Sequence, residues 1–81
     1  MESELSGDQL LRAFDQLAGG SPTTDVTASD AAQEAGFDLH SREFEAAQDY
    51  LVDVGYLVRT GEEAFRITVE GINEVQRRPQ L

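Results

Sequence analysis

DYLVDVGYLVRTGEEAFRITVEGINEV, residues 49–75, is the stretch whose reading decides the fold. Leu51 and Val54 continue an apolar helical stripe, and Gly55 stops it, since glycine enters the left-handed conformation at no steric cost. Tyr56 to Thr60 and Phe65 to Thr68 are rich in β-branched and aromatic residues, with Gly61-Glu62-Glu63-Ala64 between them as a turn. That pattern predicts a hairpin. Thr68 then caps a last helix, with Ile67 and Ile72 as its hydrophobic staple and Val69 and Val75 extending the stripe until Arg77, Arg78 and Pro79 end it. Everything depends on the chain doubling back after Gly55.

Working outward, Ser41 is a good cap for the helix that ends at Gly55, and Phe44, Ala47, Leu51 and Val54 define its buried face. Ahead of it lies a turn, Phe37-Asp38-Leu39-His40. A shorter helix precedes that turn. Thr27 with Asp30 forms its capping pattern, Val26 and Ala31 its staple, and Gly36 with Phe37 its close. Small residues at Ala31, Ala32 and Ala35 permit close approach of a crossing helix. Near the N-terminus, Ser6 with Gln9 fits a capping box and Leu5 with Leu10 a staple. Leu10, Leu11, Phe14, Leu17 and Ala18 follow at helical spacing until Gly19-Gly20, and residues 19–25 form a loop.

From about Leu10 to Val75 the chain resembles a winged helix-turn-helix domain of the MarR and PadR repressor type, through AQEAGF (32–37), YLVDVGYLVR (50–59) and FRITVEGINEV (65–75). The resemblance implies an α+β fold: a three-helix core, a two-stranded β wing and a C-terminal helix. One domain over 1–81 is expected, with helices at about 7–18, 28–35, 42–54 and 69–77 and the wing at about 56–68. The family pattern has a basic wing tip, whereas this chain has Glu62-Glu63 there.

Composition bounds the function. A chain of 81 residues buries roughly 60% of its unfolded surface, which leaves little core for a deep catalytic cavity. No apolar run approaches the roughly 18 to 20 residues that cross a bilayer. The opening MESELSGDQ carries acids where a secretory signal has a basic head, so a cytoplasmic location is expected. Without cysteine there is no disulfide, thiolate nucleophile or zinc knuckle. Sixteen acids against six arginines give a net charge of −10, a field that repels polyanions and attracts basic partners. Background adaptation of the kind seen in salt-loving organisms would produce the same excess, and about 1 M salt would shorten its reach to roughly 3 Å.

The resemblance implies duplex DNA as the partner, read by the third helix with the wing alongside. Ser41, Arg42 and Glu45 on that helix, and Arg59 and Arg66 on the wing strands, are the residues in place to do it. Against this, Glu45, Asp49, Asp53, Glu62 and Glu63 form an acidic set suited to a basic protein partner, and wing arginines also pair with neighbouring acids. The DNA reading is the expected one, because a uniform acidic background lowers the charge everywhere and the placement of the arginines then counts for more than the net sum; the protein-partner reading is its alternative. His40 is read as an exposed turn residue, and with Asp38 it falls short of a metal site. Neither a phosphate loop nor a nucleophile with its base is present, so neither catalysis nor a cofactor is expected. Exposure of Leu5, Phe14 or Tyr56 would point to a homodimer.

Overall fold

Three threonine and serine hydroxyls set where the chain turns into helix. In the computed structural model, which describes residues 2–39 and 41–77 and the side chains from Gly7 onward, they cap three of four helices. Helix α1 runs Glu2–Ala18, α2 Ala28–Ala35, α3 Arg42–Asp53 and α4 Val69–Arg77. Thr27 Oγ1 accepts the Asp30 N–H at 3.2 Å, Ser41 Oγ the Phe44 N–H at 3.1 Å, and Thr68 Oγ1 the Gly71 N–H at 3.0 Å. Each bond satisfies a donor that the first helical turn would otherwise leave unpaired.

Strands β1 (Val26–Thr27), β2 (Leu57–Arg59) and β3 (Ala64–Ile67) form one antiparallel sheet in the order β1-β3-β2, making the molecule α+β. The expected hairpin is therefore two of three strands. Val26, read in the sequence only as a staple residue, is extended and 5% exposed, and it pairs opposite Phe65. Helix α1 packs against α2, α3, α4 and β3. Between them Phe14 and Phe65 meet edge to face, ring centroids 5.8 Å apart, an arrangement favoured by the aromatic quadrupole. Leu10, Leu11, Phe44, Leu51, Leu57 and Ile67 complete the buried centre.

The first helix starts at Glu2 rather than near residue 7, so Ser6 and Gln9 lie inside it and cannot form a capping box. The expected roles of the Leu5 and Ser6 side chains, and those of His40, Arg78 and Pro79, lie outside the described residues. Val54 is also corrected. Helix α3 ends at Asp53, and Val54 at its C-cap is 44% exposed instead of continuing the stripe. Phe14 is wholly buried and Tyr56 half-buried, so Phe14 offers nothing to a dimer surface.

One joint fixes where the hairpin leaves and returns. Gly55 takes φ +87°, left-handed, and the Tyr56 N–H donates back to the Leu51 carbonyl at 2.9 Å. The Thr68 hydroxyl donates to the Gly55 carbonyl at 2.7 Å while accepting from Gly71, so one side chain joins the end of α3 to the start of α4. The Thr68 N–H meets the Tyr56 carbonyl at 3.0 Å. Gly71 packs directly beneath: a Cβ there would lie 2.5 Å from the Tyr56 carbonyl oxygen and 2.9 Å from Ile67 Cγ1. On α4, Glu74 is buried and paired with Arg77. Burial, and then the negative charge of Glu74, raises the Tyr56 phenol above its ordinary pKa of 10.0.

Candidate functional site

The outward face of α3 and the β2–β3 hairpin adjoin. Phe44, Ala47 and Leu51 turn inward on α3, which leaves Arg42, Glu43, Glu45, Ala46, Asp49 and Asp53 exposed. Beyond the hairpin strands, the turn carries Glu62 and Glu63, both exposed. The Thr60 and Gly61 N–H groups donate to the Ala64 carbonyl at 2.9 and 3.2 Å, closing this turn. Its far side is tied down as well, since the Ala28 N–H at the start of α2 donates to the Glu63 carbonyl at 2.7 Å.

Both hairpin arginines are engaged within the molecule. Arg66 Nε donates to Asp25 Oδ1 at 2.6 Å, from side chains 45% and 54% exposed. Arg59 Nη1 donates to the Glu62 carbonyl at 2.8 Å, and its guanidinium carbon lies 5.0 Å from the Phe65 ring centroid, in cation–π range. Asp25 was not among the acids expected to pair with these arginines. Forty-one positions separate it from Arg66, and only the β1–β3 pairing brings them together. Arg42, in the first turn of α3, is exposed and makes no ion pair among the described residues. Ser41 is occupied as the α3 cap, its hydroxyl oxygen accepting from Phe44.

Where α3 meets the hairpin there is an open cleft of about 350 Å³. Its apolar walls come from Ala28, Phe44 and Phe65. Glu45, Gln48, Arg59, Glu62 and Glu63 supply the polar ones. Of the sequence-derived candidates, the structure thus gathers Glu45, Arg59, Glu62 and Glu63 at one opening, while Arg66 is held at the β1 side by Asp25.

Gln48 is the residue that sequence reading missed. It is 9% exposed, and its Oε1 has no hydrogen-bond partner among the described residues. The signal was available, because Phe44, Ala47, Gln48 and Leu51 follow the i, i+3, i+4, i+7 spacing of a buried helical stripe. A polar residue in that stripe is informative, since buried polar side chains are nearly always hydrogen-bonded.

Counting the exposed charges on α3, the hairpin and Asp25 beside it, three arginines face seven carboxylates. Two of the three arginines are those already committed to Asp25 and to the hairpin's own turn. Chemically the face is rich in acceptors and poor in free cationic donors. Among the described residues no helix is long and apolar enough to cross a membrane. No protein-family model matches this chain, and no match was found among curated proteins or among solved structures.

Proposed function

We propose that this chain is a winged helix-turn-helix domain that acts without catalysis, as a docking module whose third helix and wing bind a basic protein partner. The α2–turn–α3 order followed by the β2–β3 hairpin and α4 supports the winged-helix reading. One observation carries the choice of partner: the wing arginines that a nucleic-acid reader would turn toward phosphates are held on Asp25 and on the Glu62 carbonyl. Glu45, Asp49, Asp53, Glu62 and Glu63 stay exposed around them. Phosphate neutralisation supplies most non-specific DNA affinity, and a face with this balance supplies little of it. The same balance steers a cationic protein toward the face at long range.

A second reading, a regulator that reads duplex DNA, is favoured by Arg42. It stands exposed and, among the described residues, without an ion pair in the first turn of α3, where a recognition helix meets base edges and where the helix end itself favours anions. Ser41, Glu45, Arg59 and Arg66 would complete that interface, each of them already engaged within the molecule.

Salt-resolved binding separates the two. The docking reading expects an arginine-rich peptide to bind at about 50 mM salt and a mixed-sequence DNA duplex not to. Duplex binding with a log–log salt slope of about −0.9 per phosphate, abolished by Arg42→Ala, would establish the DNA reading in its place.

A further inference from the structure

We propose that the cleft between α3 and the hairpin is a receptor for one arginine side chain of the basic partner, with Gln48 in its lining. This rests on the docking reading above and names the group that the partner inserts. Glu45, Glu62 and Glu63 bring three carboxylates to the opening against one guanidinium, that of Arg59. Arg59 is held on the Glu62 carbonyl and against the Phe65 ring, so the opening stays net negative beside it.

The independent observation is Gln48. An amide oxygen this buried and unpartnered in a folded core is costly, and a donor entering from the cleft removes that cost. The terminal torsion of glutamine is soft, so the amide can turn to meet the donor without moving the helix.

The donor's chemistry follows from the walls. Carboxylates and an amide oxygen accept hydrogen bonds, and a guanidinium offers five donors in a planar fork that matches carboxylate geometry. An ammonium is a compact, strongly hydrated point charge and satisfies fewer acceptors at once. The apolar lining from Ala28, Phe44 and Phe65 is almost wholly buried, so recognition rests on the polar groups at the opening. A metal ion fits less well, because among the described residues no group of three or more acidic or histidine side chains is arranged to hold one.

The test is an NMR titration of the ¹⁵N-labelled full chain at low salt with a capped Gly-Arg-Gly-Arg-Gly peptide and with its lysine counterpart. The arginine peptide should shift the Gln48 side-chain amide and the backbone of residues 59–63, and bind about fivefold tighter than the lysine peptide. Gln48→Leu should remove that preference. Glu62→Gln with Glu63→Gln, at exposed positions that leave folding intact, should weaken the arginine peptide by up to about fivefold for each charge removed. Equal binding of both peptides, with shifts confined to Asp49 and Asp53, overturns the arginine receptor and leaves the docking reading standing. A folded Gln48→Leu chain with an unchanged arginine preference also overturns it. If neither peptide shifts any residue, the docking reading itself fails.

Discussion

The two ends of the β2–β3 hairpin are built on opposite terms. At its base, the Thr68 hydroxyl serves two helices, and Gly71 leaves no room: a single added carbon there would meet a carbonyl oxygen at 2.5 Å. At its tip, Glu62 and Glu63 are exposed, and apart from the closing backbone bonds the turn is held chiefly by Arg59 and Ala28. Packing and hydrogen bonding dictate the residues at the base. At the tip they dictate almost none, which leaves those side chains free to serve recognition.

The contrast is sharpest where it should cost most. Gly71→Ala is expected to lose about 2–3 kcal/mol of stability in urea unfolding, because the clash is with backbone and cannot be relieved by a rotamer change. A loss under about 1 kcal/mol would mean that the base yields and the contrast is weaker than drawn. Thr68→Ala should cost about 1–2 kcal/mol, since it removes the α4 cap and the donor to the Gly55 carbonyl together. Thr68→Ser, which keeps the hydroxyl, should recover most of that loss in the same measurement.

Nearer the periphery the effects shrink. A double-mutant cycle on Asp25 and Arg66, both about half exposed, should give a coupling of roughly 0.2–1 kcal/mol that fades with added salt. A coupling above about 2 kcal/mol would show the ion pair to be structural rather than peripheral. Smallest of all, Glu62→Gln with Glu63→Gln should leave the unfolding midpoint within about 0.5 kcal/mol of the parent. Should that pair destabilise as much as Thr68→Ala, tip and base would no longer differ in kind.

What was legible in the sequence follows the same division. Ser41, Thr27 and Thr68 announced three helix starts because capping is a local event, decided within four residues. Gly55 and the β-rich segments around Gly61 marked the hairpin for the same reason. Non-local features were hidden. Strand β1 is two residues long and exists only because β3 passes beside it, so Val26 read equally well as a staple. The Asp25–Arg66 pair depends on that same crossing. At the N-terminus the local rule misled: Ser6 and Gln9 have the spacing of a cap, but the helix had already begun at Glu2. Among the site candidates, the acids at the opening were readable one by one. Their convergence with Gln48 was not, because no spacing rule relates α3 to the hairpin turn.

The bond from the Ala28 amide to the Glu63 carbonyl gives the hairpin a mechanical role. It pins the outer end of the ribbon to the entry of α2, whose first turn also rests on Thr27. A displacement of the turn is therefore coupled, through that one bond, to the first turn of the second helix.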